Sequence, residues 1–317
     1  MDLSKIQHLL SASRLDGWLF TDFHGHDFIS RDFLELTERK CTRRLFYYIP
    51  AKGEPIKLLS AIEPLLLDHL PGKKILYQGI RGQKDALSSI LPKGGRIACQ
   101  YSPGGNVPTV SSMDAGLIES LKTFGVHLES SADLLQHFGA VLTEEQIDSH
   151  KQAGVIIHRI LKKTFLWIRQ NLDNQTPINE WMLLEHMKEL IAKEPIYMDS
   201  PPFFGIDEHA CNPGYEPSPE SSKPIQEGSR LIIDIAGRLP KEDAVYYDIS
   251  WCMNIGPAID PEYQQLFNTV SHARKLALDY IRRQLDKNLP LRGCDVDALL
   301  RSYFEKEELA SCIMHRT

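Results

Sequence analysis

Short apolar runs separated by polar turns fill the first part of the chain, and their spacing alternates between strand-like and helix-like. Gly17-Trp18-Leu19-Phe20, Arg44 to Ile49, Arg96-Ile97-Ala98-Cys99 and Val126-His127-Leu128-Glu129 read as strands. Ile62 to Leu70, Ala86 to Ile90 and Met113 to Phe124 read as short helices between them. This is the pattern of an α/β domain over residues 1–140, closed by a capped helix start at Ser130-Ser131-Ala132-Asp133. Thr143-Glu144-Glu145-Gln146 then has the form of a capping box, and Ile147, Ile157, Ile160, Leu161, Phe165, Ile168 and Leu172 recur at helical spacing. A second domain, 141–317, therefore opens on a long amphipathic helix, followed by another over Asn179 to Ala192. The stretch Glu194 to Gln226 is rich in proline and glycine and reads as loop unless strands hide in it. Beyond the segment treated next, Tyr263 to Ile281 and Val296 to Phe304 carry two further helical patterns.

Between loop and helices lie two apolar runs, each broken by one acid: Leu231-Ile232-Ile233-Asp234-Ile235-Ala236-Gly237 and Ala244-Val245-Tyr246-Tyr247-Asp248-Ile249-Ser250-Trp251. The intervening Arg238 to Asp243 is turn-prone, so the whole reads as a β-hairpin. A hairpin symmetric about Lys241 sets Asp234 directly opposite Asp248, on one face, roughly 5 Å apart. Two carboxylates that close on a half-buried sheet repel each other and lose hydration, and a divalent cation is the simplest compensation. The alternative is that both are hydrogen-bonded structural residues, or that a bulge keeps them from meeting.

Composition narrows the classes. The chain has 317 residues, 42% hydrophobic and 25% charged, with 36 basic against 42 acidic side chains, a net charge of −6 and no basic block. That length accommodates two domains, and the charge balance points to neither nucleic acid nor a lipid surface. Six cysteines without CxxC spacing read as reduced thiols and a cytoplasmic protein. The N-terminus has no signal-peptide pattern, and no apolar stretch approaches the length that spans a membrane.

Other chemistry-bearing clusters are weaker. His24-Gly25-His26-Asp27 reads as a turn leading into a helix, and Glu185, His186 and Glu189 as a solvated helix face without an HExxH pattern. His209 and Tyr215 sit in Phe204 to Tyr215, the most irregular stretch of the second domain, which is either a substrate wall or a turn with a satisfied histidine. No GxSxG, GxxxxGK[ST] or helix-opening GxGxxG occurs, so serine hydrolase, phosphate-loop and dinucleotide readings have no support.

Taken together, these residues resemble the pita-bread metallopeptidases, specifically the Xaa-Pro peptidases of prolidase and aminopeptidase P type with a creatinase-like N-terminal domain. The matching stretches are Tyr101-Ser102-Pro103, Ser112-Met113-Asp114-Ala115-Gly116 and Ser130 to Leu134 in the first domain. In the second they are Asn212 to Pro217, Ile225 to Gly228, Ile233-Asp234, Ala244 to Trp251 and His315-Arg316-Thr317. The resemblance implies an α/β creatinase-like domain followed by an incomplete α+β pita-bread domain. It implies a two-ion site for manganese, cobalt or zinc, with Asp234 and Asp248 matching its two aspartates. It further implies His315 as a substrate-contacting catalytic residue and peptides with proline at the second position as ligands, while His209 and Tyr215 stay the substrate-binding candidates that their loop suggests. Two departures stand out: Gly214 occupies a position that is histidine in the family, and the histidine and two glutamate ligands would all fall beyond Thr317. The expectation is a C-terminally truncated, hydrolytically impaired peptidase, or else a non-catalytic peptide- or protein-binding remnant. Exposed sheet surface would make it a homodimer or self-associating.

Overall fold

The computed structural model describes residues 1–315, in two compact units, the first Met1–Leu142 and the second beginning at Thr143. The elements of the first unit are α1 (Leu3–Ala12), β1 (Gly17–Asp22), α2 (Phe28–Phe33), β2 (Leu45–Pro50), β3 (Ile56–Ser60), β4 (Lys73–Tyr77), α3 (Gly79–Ile90), β5 (Arg96–Cys99), α4 (Ala115–Thr123), β6 (His127–Ser130) and α5 (Ala132–Gly139). The strands form one sheet in the order β4-β3-β2-β1-β5-β6, with β1, β5 and β6 parallel. Every residue of central β1 is buried, because helices cover both faces. Trp18 and Phe20 pack with Ile6, Leu34 and Leu134 on one face, and Leu19 with Phe46, Leu87 and Leu121 on the other.

Two sequence expectations change here. Ile62 to Leu70 is not a helix but a series of turns, with Ile62 and Leu65 each 67% exposed, too little burial to support one. On either side of it run β3 and β4, which pattern reading passed over. Lys57 interrupts the first of them and is nevertheless buried, its Nζ donating to the Leu70 carbonyl at 2.8 Å. Edge strand β4 is half-exposed and opens on Lys73-Lys74, charges that protect a sheet edge and mask its apolar pattern.

The second unit comprises α6 (Glu144–Asp173), α7 (Glu180–Ala192), β7 (Phe203–Ile206), β8 (Arg230–Gly237), β9 (Tyr247–Asn254), α8 (Pro261–Asp286) and α9 (Gly293–Lys306). The capping box forms as read, Thr143 and Gln146 exchanging side-chain-to-backbone hydrogen bonds. Helices α6 and α7 share a core with the antiparallel sheet β7-β8-β9, whose first strand lay concealed in the proline-rich stretch. Leu231, Ile233 and Ile235 of β8 point into this core beside Ile157, Ile160 and Leu183, and each contributes about 2 kcal/mol by leaving water. Gly154 lets α6 approach β9, since a Cβ there would stand 2.7 Å from the Tyr247 ring. Helices α8 and α9 pack on each other through Ala273, Leu300 and Phe304. The start of α8 is tied to β8 by the Arg230–Asp260 ion pair at 2.6 Å.

Because β8 is buried on one face only, truncating that face should destabilise the second unit without touching the other. We expect Ile233→Ala to cost about 3 kcal/mol in urea unfolding followed at the second unit's tryptophans. A loss below about 1 kcal/mol would mean that this face is not the core.

Candidate metal and ligand site

Alternation along β8 leaves Arg230, Ile232, Asp234 and Ala236 on the face away from the core, and the pairing adds Asp248, Ser250 and Cys252 of β9. The aspartates share this face, as the hairpin pattern predicts, but they are not opposite each other. Asp234 pairs with Ser250, and Asp248 with Ala236, so the hairpin is centred on Glu242 and not on Lys241. The physical reason lies in the connection. Arg238 pairs its backbone with Tyr197 in an isolated bridge, stacks its guanidinium 4.6 Å from the Tyr197 ring centroid, and binds the Leu239 and Lys241 carbonyls. Asp243 adopts a left-handed φ of 56°. This tethered turn displaces the register by two residues, which preserves the face because side chains alternate with period two.

The aspartates are thus diagonal neighbours, roughly 7 Å apart at their backbones. Both are exposed, so the half-buried environment expected from the sequence is corrected to an open one. Ser250 Oγ donates to Asp234 Oδ1 at 2.6 Å. The Asp248 side chain has no hydrogen bond or ion pair among the described residues; desolvation of its carboxyl on the sheet raises its pKa, and the like charge of Asp234 adds to the rise. A group already disfavoured as an anion is stabilised by any cation placed between the two. Among the described residues no group of three His, Cys, Asp or Glu could hold a metal. Asp234 and Asp248 are thus the donor set that this face of the hairpin offers a divalent cation.

His315 is exposed, and its carbonyl accepts from Arg301 Nη2 at 3.1 Å, placing it with α9. It borders a small cavity with Val270, Phe304 and Ile313, and does not join Asp234 and Asp248 in a ligand group. Arg316 and Thr317 of the His-Arg-Thr motif lie outside the described residues. His24 takes a left-handed φ of 57° in a turn whose Gly25 and Asp27 amides donate to buried Asp22, a backbone-held loop as read. His186 departs from the solvated-face reading: its ring stacks on Trp167 at 4.6 Å, and burial lowers its pKa.

The group that pattern reading missed is Glu180, the first residue of α7 and fully buried. Its Oε1 accepts from the Ile206 amide at 2.7 Å, and its Oε2 from the Lys223 amide at 2.7 Å and the Tyr215 hydroxyl at 2.6 Å. His209 Nδ1 lies 2.9 Å from Oε2 and 3.2 Å from Oε1. Both His209 and Tyr215 are therefore anchored to one carboxylate, with their rings stacked at 4.0 Å. Burial and the Glu180 hydrogen bond push the Tyr215 phenol up to about 12. Helical periodicity disguised Glu180 as an ordinary first-turn acid after the Asn179 N-cap. The 3-10 turn Asp207–Cys211 that carries His209 seats on Gly205, where a Cβ would meet the Ala210 nitrogen at 2.5 Å. Gly205 pairs with Ile232 and so belongs to the aspartate face, which makes this turn a wall beside it.

Solved structures share this architecture. A dipeptidase, PepE, from Mycobacterium ulcerans aligns with a TM-score of 0.62 at 20% identity, over 99% of this chain and 78% of its own. A dipeptidase from Pyrococcus horikoshii OT3 gives 0.55 at 19% identity, over 100% and 81%. A prolidase from Thermococcus sibiricus gives 0.53 at 16% identity, again over 100% and 81%. At these identities the likeness is one of fold, the creatinase-like α/β domain followed by a pita-bread domain. No curated protein matches the sequence. The family model of the M24 metallopeptidases matches residues 148–317, more than half of the chain and all of the hairpin, and the chain belongs to metallopeptidase family M24.

Proposed function

We propose that this chain derives from a metal-dependent Xaa-Pro exopeptidase, binds peptides with proline at the second position, and hydrolyses them poorly with Asp234 and Asp248 as its ligands. One observation carries the reading: in an M24 domain, Asp234 and Asp248 share the open face of a hairpin with no third ligating side chain beside them among the described residues. Two carboxylates bind a divalent ion weakly, whether manganese, cobalt or zinc. They leave the paired-ion clamp of dinuclear hydrolases unbuilt. In this reading His209 and Tyr215 belong to the peptide wall, and His315 would approach the ligand from the α8–α9 side. A purely non-catalytic binding role is the second reading. Gly214 favours it, since this exposed glycine offers no imidazole for proton transfer.

All six cysteines are free, which supports a reducing, cytoplasmic setting, and no described helix is long and apolar enough to cross a membrane. Leu266, Phe267 and Val270 on α8 are 45%, 46% and 51% exposed, one apolar stripe that supports self-association.

Calorimetric titration with Mn2+ should reveal about one weak ion per chain, and Asp248→Ala should lower that affinity by about tenfold or more. Cleavage of the dipeptide Ala-Pro with Mn2+ present should not exceed that of the Asp248→Ala variant. Vigorous Mn2+-dependent cleavage by the unmodified protein would overturn the impairment, and absence of Mn2+ binding would overturn the metal role.

Acid should also weaken the ion. A proton and the cation compete for Asp248, and its pKa is raised, so the carboxylate is protonated earlier as pH falls. Mn2+ affinity should therefore be fully developed near neutrality and begin to decline above the pH at which an ordinary aspartate titrates. An affinity that stayed flat until the ordinary aspartate range would show that Asp248 is not a ligand.

A further inference from the structure

We propose that Glu180 and His209 form a carboxylate–imidazole pair that presents His209 Nε2 as a hydrogen-bond and proton acceptor in the wall beside the aspartate face. A carboxylate has about four lone-pair sites, and those of Glu180 face the Ile206 amide, the Lys223 amide, the Tyr215 hydroxyl and His209 Nδ1. Both amides can only donate, and the hydroxyl, 2.6 Å from Oε2, donates as well. With its sites filled by donors, Glu180 has no hydrogen to offer, so Nδ1 must be the protonated nitrogen. The unprotonated nitrogen of the neutral ring is then Nε2. Fixing one imidazole nitrogen by a buried carboxylate is the general means of orienting the other toward a ligand or a reacting proton.

Three further observations direct that nitrogen outward. The Glu180 side chain is fully buried, whereas that of His209 retains 22% exposure, so the pair runs from the interior to the surface. Tyr215 stacks on the ring at 4.0 Å and donates to the same carboxylate, which restricts ring rotation. The His209 turn rests its backbone on Gly205, whose missing Cβ points to the aspartate face. The His209 ring makes no other hydrogen bond among the described residues. The ligand group that suits Nε2 is a nitrogen-bound hydrogen, such as the ammonium of a short peptide, with Asp234 and Asp248 supplying negative charge nearby. Glu180 is in this scheme a positioning residue, and His209 the group that meets the ligand.

The ligand assignment rests on the peptide reading proposed above, while the state of the imidazole does not, and the experiment separates the two. In 15N-edited spectra of the unmodified protein, with His209 assigned through bonds to its own backbone, the neutral ring should carry its proton on Nδ1. A neutral ring protonated on Nε2 would overturn the proposal without any variant being made. Acylation by diethyl pyrocarbonate should modify His209, and saturating Ala-Pro should slow that modification about tenfold or more, an effect equivalent to roughly 1.4 kcal/mol. Ala-Pro that binds by calorimetry yet leaves the His209 rate unchanged would overturn the ligand role. Ala-Pro that does not bind at all would sink the peptide reading, and the pair would then stand or fall on the tautomer alone. As a control, Glu180→Gln should broaden the distribution between the two ring tautomers, and an unchanged single tautomer would contradict positioning by Glu180.

Discussion

Everything assembled on the second unit's sheet depends on one-sided burial of the β8–β9 hairpin. Leu231, Ile233 and Ile235 are driven against α6 and α7, and alternation then forces Asp234 and its neighbours to the opposite, open face. A carboxylate placed one position earlier or later in β8 would have been pushed into the core at a cost no nearby cation offsets. The same alternation protects the site from errors of register. The tethered Arg238 turn moves the aspartates from opposite to diagonal, yet they remain on one side of the sheet. Their separation is set by the turn, while their facing is set by the core.

A second constraint joins core and wall. Glu180 is buried with four donors around it, and those donors come from the end of β7, from the 3-10 turn and from two points of the proline-rich loop. A fully satisfied buried carboxylate of this sort rigidifies the segments it joins, and removing the acceptor would leave several buried donors unpaired. The segment thereby becomes an ordered border to the aspartate face. Gly205 completes it by admitting the backbone of the turn at a distance no side chain would permit.

How much of this could be read from residue order alone differs by level. The capping box at Thr143 and the shared face of Asp234 and Asp248 follow from periodicities of 3.6 and two, which local sequence displays directly. The register did not, because it depends on Arg238 reaching Tyr197, a contact across some forty residues of chain. Strands β3 and β4 were obscured for a different reason. Lys57 is buried through a hydrogen bond that sequence cannot show, and Lys73-Lys74 obey the charge logic of an edge instead of the apolar pattern of a core. Glu180 was illegible because nothing local separates a helix-capping acid from a buried hub; only the arrival of four donors from distant segments does so.

The proposed divalent-ion site of Asp234 and Asp248 is open to solvent and separate from the buried acids Asp22, Asp27 and Glu180. Paramagnetic Mn2+ titrated into 15N-labelled protein tests this residue by residue. The amides of Asp234, Ile235, Asp248 and Ile249 should broaden first and together at substoichiometric ion, while those around Asp22, Asp27 and Glu180 stay sharp. Early broadening centred on Asp22 or on the α8–α9 acids, with the hairpin unaffected, would contradict it.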